Sequence, residues 1–129
     1  MKYIGVDYGR ARTGIAVSDY EGTLAFPRSV LASAPAGELY KALADVIETE
    51  DVRTIVVGLP FISEGVDQSW KKEVEEFANK LKGEFGLPVF FENEMFTTKI
   101  AEIHSKKNAD ASAAALILQS FLDRKNRIE

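Results

Sequence analysis

Three carboxylates in this 129-residue chain fall where a carboxylate could do chemistry: Asp7, Glu94 and Asp110. Asp7 closes a strand-like opening, Lys2-Tyr3-Ile4-Gly5-Val6, and is followed by Tyr8-Gly9-Arg10, a turn. Glu94 follows a second apolar run, Pro88-Val89-Phe90-Phe91-Glu92. Asp110 precedes Ala113, Ala114, Ile117, Leu118 and Phe121 by three, four, seven, eight and eleven residues, which puts it on the inward stripe of a helix, in its first turn. A carboxylate so placed points towards the core, and a lone buried charge is costly unless it is paired or coordinates a metal. Oxygen-only clusters suit Mg²⁺ or Mn²⁺. Two such ions about 4 Å apart clamp a phosphodiester, activating water and stabilising the leaving oxygen.

Basic residues flank two of these acids. Arg10 and Arg12 fall in the first hairpin turn, and Lys106 and Lys107 just before Asp110, where they are expected to contact phosphates and position a strand. Each acid also has a plainer reading. Asp7 suits a turn, Glu94 a loop in an acidic stretch, and Asp110 a helix N-cap. Glu92 reads as a solvated or edge residue, Trp70, Phe90 and Phe91 as core, and Thr97 and Thr98 as helix caps. Gly58-Leu59-Pro60 reads as architecture, a tight exit from a strand. Phe61 and Ile62 suit either a dimer patch or a substrate wedge.

The elements that must position these groups follow from periodicity. Strands are expected at 2–7, 14–18 and near 28–31 after Pro27, then a helix at 37–49 with Leu39, Leu43, Val46 and Ile47 on one face. The β-branched run Thr54-Ile55-Val56-Val57-Gly58 reads as a strand buried on both faces. A helix at 67–82 carries Trp70, Val74, Phe77, Ala78 and Leu81 inward, and a buried-type strand follows at 88–92. Helices at roughly 97–105 and 110–123 close the chain. The order β-β-β-α-β-α-β-α-α is that of an α/β fold with a mixed sheet flanked by helices, with 2–7, 54–58 and 88–92 parallel. Open α/β sheets bind ligands beyond the carboxyl ends of such strands, where Asp7, Gly58 and Glu94 fall. With no internal repeat or Pro, Gly or Ser-rich linker, residues 1–129 are expected to form a single domain.

Composition narrows the classes further. There are no cysteines, which excludes thiolate metal sites, disulfides and cysteine nucleophiles. His104 is the one histidine, so a histidine metal triad is excluded too. Net charge is −4, distributed as +1 over 1–33, −7 over 34–96 and +2 over 97–129. A nucleic-acid site would therefore be local and built from the two ends of the chain. No apolar run reaches the roughly 18 residues of a membrane span. With no signal-peptide pattern before the first strand, the expected location is the cytoplasm.

These residues resemble the YqgF family of the RNase H-like superfamily, to whose members Holliday-junction resolution or pre-16S rRNA processing is ascribed. The opening motif is Asp7-Tyr8-Gly9-Arg10-Ala11-Arg12-Thr13-Gly14-Ile15-Ala16-Val17-Ser18-Asp19. The second is Val57-Gly58-Leu59-Pro60 with Glu64-Gly65, and the last is Asp110-Ala111-Ser112-Ala113-Ala114 running into Leu116-Ile117-Leu118. The resemblance covers nearly the whole chain and implies an RNase H-like fold and metal-dependent phosphodiester hydrolysis. It also implies Asp7, Glu94 and Asp110 as the catalytic acids. Where the family carries Asp-Glu-Arg after the last strand, this chain has Asn93-Glu94-Met95, so the planar fork of an arginine is missing. Processing of precursor small-subunit rRNA is the leading expectation. The alternatives are a nucleic-acid-binding module of the same fold with weakened catalysis, a resolvase acting on branched DNA, and a fragment-like relative of the actin and sugar-kinase ATPases. Monomer and homodimer both stay open.

Overall fold

The computed structural model describes residues 1–60, 68–93 and 109–127, with 109 and 110 described by their backbone alone. Short turns between apolar runs fold the first three strands back on one another. They are β1 (Lys2–Asp7), β2 (Arg12–Ser18) and β3 (Ala25–Ala32), antiparallel throughout. Asp19 closes the β2–β3 turn: its carboxylate accepts from the Thr23 amide at 2.8 Å, the Thr23 hydroxyl at 2.9 Å and the Leu24 amide at 3.2 Å. The Thr23 amide bond leads in holding this carboxyl below its usual range. The last residue of the opening motif is thus a turn-former.

The chain then alternates: α1 (Ala36–Thr49), β4 (Val52–Leu59), α2 (Ser69–Phe85), β5 (Val89–Asn93) and α3 (Ala109–Arg127). β4 joins β1 in parallel and β5 joins β4 in parallel, giving the sheet order β3-β2-β1-β4-β5. This is the α/β mixed sheet that the sequence pattern predicts, with β1, β4 and β5 parallel as expected.

Alternation along the strands divides the core between two faces. Ile4, Val6, Ile15, Ile55 and Val57 pack under α1 and α2, against Leu39, Leu43, Val74, Phe77 and Leu81. Tyr3, Ala16 and Val56 point the other way and pack under α3, against Ala114, Ile117, Leu118 and Leu122. Ile117, Leu118 and Leu122 are fully buried, and each contributes about 1.5–3 kcal/mol to seating α3 on the sheet.

Some boundaries differ from the sequence reading. β2 begins at Arg12, so Arg12 opens a strand and does not sit inside the turn. β3 runs through Pro27, which pairs with Ala16 beside a register shift; β3 is an outer strand, where a residue lacking N–H is tolerated. α2 runs three residues past the expected end. β5 is also an outer strand of this sheet, which leaves Phe90 and Phe91 exposed at 48% and 39%, where burial is expected from sequence. The helix expected at 97–105 lies outside the described residues. None of the described helices is long and apolar enough to cross a membrane.

Candidate active site

The carboxyl ends of β1, β4 and β5 share one edge of the sheet, because the three strands are parallel. β1 ends in Asp7, which is half-buried. By strand alternation Asp7 shares the face of Tyr3 and Gly5, the face that α3 covers. Continuing the β1–β4 register from the Val6–Val57 pair sets Asp7 level with Gly58, and Gly58 pairs with Glu92. Asp7 and Glu92 thus flank a glycine that adds no side chain to the row, with backbones roughly 10 Å apart across two strand spacings.

Gly5 determines how closely α3 approaches. A Cβ built there would lie 2.8 Å from Leu118 Cβ and 2.9 Å from the Ala114 carbonyl oxygen, so only a residue without a side chain lets the helix backbone rest on β1. The helix runs antiparallel to β1. Ala114 and Leu118 lie at Gly5, whereas Phe121 packs at a tilt against Tyr3, ring centroids 6.0 Å apart, and Lys125 Nζ sits 5.5 Å from the same ring. From that crossing, Asp7 lies two residues towards the end of β1, about 7 Å on. Asp110 lies four residues back along α3, about 6 Å in the same general direction. The N-terminus of α3 therefore comes to the edge where Asp7 sits, and the backbone of Asp110 is in its first turn.

The turn between β1 and β2 is held from a distance. The Ser33 hydroxyl donates to the Gly9 carbonyl at 2.6 Å and contacts the Thr13 hydroxyl at 2.7 Å, while the Ser33 amide donates to the Ala11 carbonyl at 3.0 Å. Ser33 and Thr13 are buried, so the loop bearing Arg10 is fixed to the end of β3. At Gly9 an added Cβ would lie 2.4 Å from the Arg12 carbonyl oxygen, which shows how tightly this loop folds. Arg10 leaves it towards α2. Its guanidinium lies 4.7 Å from the Trp70 ring centroid and makes an ion pair with Glu73 at 3.1 Å, in the open: the side chains are 67% and 51% exposed. Tyr8 stacks on Phe77 at 3.9 Å and on Trp70 at 5.5 Å. Trp70 is half-buried at the rim of the core, where the sequence stripe places it fully inside.

Glu92 lies on an outer strand, as an edge residue would, but it is not solvated. It is 3% exposed, accepts from the Ser120 hydroxyl at 2.6 Å and from Arg124 Nη1 at 2.9 Å, and pairs through its other oxygen with Arg124 Nη2. An ion pair thus ties the end of β5, two residues before Glu94, to α3. Glu92 is committed to Arg124 and Ser120, and it serves as a strut between the elements that carry the candidate acids.

Among the described residues no three acidic or histidine side chains come together as a metal site. Glu94, Lys106 and Lys107 lie outside the described residues, and Asp110 enters by backbone position alone. What the structure does bring to one edge is Asp7, the end of β5, the start of α3 and the Arg10 loop. With no cysteine and one histidine, the chain offers a divalent cation mainly oxygen donors, the kind that hard cations take.

Comparison with known proteins agrees with this architecture. Residues 1–124 match the model of the family described as "RuvX: Holliday junction resolvase". A Nitratidesulfovibrio vulgaris protein named "Putative pre-16S rRNA nuclease" is 36% identical over 133 residues, covering 95% of this chain and 94% of its own length. A Koribacter versatilis protein of the same name is 37% identical, covering 96% of this chain and 88% of itself. Among solved structures, Thermus thermophilus RuvC superposes with a TM-score of 0.61 at 21% identity, over 98% of this chain and 97% of its own. The fowlpox virus Holliday junction resolvase superposes with a TM-score of 0.58 at 13% identity, over 97% of this chain and 99% of its own. At these identities the two structures speak for the fold.

Proposed function

Because the chain belongs to the RuvX (YqgF) family of nucleases, with a RuvC-like, RNase H-like fold, we propose that it hydrolyses phosphodiester bonds in the precursor of 16S ribosomal RNA, acting as a single domain with Mg²⁺ or Mn²⁺. The observation that carries the reading is the close seating of α3 on β1 at Gly5, which brings the first turn of α3 to the edge where β1 ends in Asp7. Substrate class follows the names of the relatives, which align over nearly the whole chain.

In this reading Asp7, Glu94 and Asp110 are the catalytic acids and hold the metal. When bound, the metal lowers the pKa of a water and offsets charge on the phosphate oxygens. Arg10, Arg12, Lys106 and Lys107 contact phosphates and fix the strand in register. Net charge of −4 makes this local cationic loop the steering element. Met95, where the family has arginine, removes one bidentate phosphate grip.

Calorimetric titration with Mn²⁺ in the presence of RNA tests the assignment. The expected result is binding by the parent protein and weaker binding by each of Asp7→Ala, Glu94→Ala and Asp110→Ala. Unchanged binding in all three would remove the shared site. RNA binding that ignores both metal and Asp7→Ala, with no cleavage, would favour the non-catalytic binding module that Met95 suggests.

A further inference from the structure

The Arg10–Trp70–Tyr8 assembly does more than close the rim of the core. Trp70 belongs to α2 and Tyr8 to the loop after β1, and both rings stay half-buried, whereas Phe77 beneath them is buried. Arg10 is held at the outer end of this stack by a ring contact and by one carboxylate, with most of its side chain in solvent. An exposed Arg–Glu pair contributes about 0–1 kcal/mol, so Glu73 is a weak partner that a better anion can displace. A phosphate is such an anion, because the guanidinium fork grips it through two charge-assisted hydrogen bonds. Tyr8 is engaged by Phe77 and Trp70, and Trp70 by Tyr8 and Arg10, so the face left open is the outer face of the Arg10 guanidinium, a plane on which an unstacked nucleobase packs. Tyr8 directly follows Asp7, so this shelf begins one residue from the proposed metal ligand.

We infer that Arg10, backed by the Trp70 and Tyr8 rings, forms a subsite for one unpaired nucleobase and its phosphate next to the carboxylates, with Glu73 holding Arg10 over Trp70 until a phosphate replaces it. The inference rests on the nuclease reading and deepens it: the substrate would be single-stranded, or splayed open, at the position flanking the cut. A fully paired duplex offers no free base face to the shelf.

Trp70 is the only tryptophan, so its emission reports on this subsite alone. The experiment titrates the full chain, with Ca²⁺ in place of Mg²⁺, with a single-stranded RNA oligonucleotide, the DNA oligonucleotide of the same sequence, and a blunt RNA duplex. Tryptophan emission and oligonucleotide anisotropy are followed together. Both single strands are expected to quench Trp70, because neither stacking nor phosphate contact reads the 2′-hydroxyl, and the duplex is expected to leave it unchanged. Arg10→Ala is expected to weaken single-strand binding about ten-fold and to reduce the slope of log K against log salt by about 0.7. Glu73→Gln, an exposed change that spares the fold, is expected to bind about two- to three-fold more tightly, as loss of a weak exposed partner allows. Binding by anisotropy with unchanged Trp70 emission, or with full affinity in Arg10→Ala, would overturn the subsite and leave the nuclease reading standing. Equal quenching by the duplex would overturn the requirement for an unpaired base. Failure of every oligonucleotide to bind would overturn both.

Discussion

Replacing Gly5 with alanine tests how the site is assembled, because the substitution adds one methyl group at the point where α3 crosses β1. The new Cβ would meet Leu118 Cβ at 2.8 Å and the Ala114 carbonyl oxygen at 2.9 Å, with Leu118 Cδ2 at 3.5 Å. The first two obstacles are fixed to the helix backbone, so no side-chain rotation relieves them and α3 must move outward. Overpacking of a tight core costs about 1–3 kcal/mol, and a backbone-against-backbone contact belongs in the upper part of that range, about 2–3 kcal/mol. For a chain of this size each kcal/mol lowers Tm by about 3–6 °C, so a drop of about 10 °C is expected by circular dichroism. Activity should fall further than stability explains. Moving α3 by about 1 Å displaces Asp110 from Asp7, and a misplacement of that size costs about 100-fold in rate. The assay is cleavage well below the melting point, so that the variant is folded. An unchanged Tm would refute the seating of α3 on Gly5, and a lowered Tm with full activity would refute the link between that seating and the site.

Four further substitutions probe the frame. Gly83→Ala, in α2 with no atom within 4 Å of the added Cβ, should raise stability by about 0.5–1 kcal/mol through helix propensity, read as a higher urea midpoint; a lower midpoint would mean the position is crowded. Arg124→Ala should cost more than Glu92→Gln, about 2–3 against about 1 kcal/mol, because the first strands a carboxylate that is 3% exposed and the second leaves an arginine that is already 56% exposed. Equal costs in denaturant titration would sink that asymmetry. Glu50 receives hydrogen bonds from Lys2 at 2.6 Å and Arg28 at 2.8 Å, which hold its carboxyl below the usual 4.5, with Lys2 the larger influence. The folded value lies below the unfolded one, so the stabilisation is present above about pH 4.5 and is lost as pH falls through the lower folded value. Glu50→Gln should therefore be less stable than the parent at neutral pH by about 1 kcal/mol, and the gap should close in acid; a gap independent of pH would contradict the assignment.

The order of elements was legible because each apolar run has a distinct period. Unbroken β-branched residues at 54–57 mark a buried strand, and the stripe through Val74, Phe77, Ala78 and Leu81 marks a helix face, as the structure bears out. The position of Asp7 at a parallel strand end followed from the same pattern. What escaped the sequence depended on partners far along the chain. Glu92 reads as a solvated or edge residue; β5 is an outer strand, but the carboxylate is buried and paired with Arg124, 32 residues on. Phe90 and Phe91 looked like core because an apolar run does not distinguish a central strand from an outer one. Ser33 carries no local signal, yet it fixes the loop that presents Arg10. Trp70 obeyed the helical stripe, but the stripe could not show that Tyr8 and Arg10 would stack against it from another segment.

The most direct test of the central claim is cleavage of an RNA carrying the junction between leader and mature 16S sequence, with Mn²⁺ and purified protein. The parent chain should cut it, and Asp7→Asn, which keeps the size of the side chain but removes its charge, should lose the activity by at least about 100-fold while staying folded. Cleavage by Asp7→Asn at the parent rate, or no cleavage of any nucleic acid by the parent chain, would contradict the account.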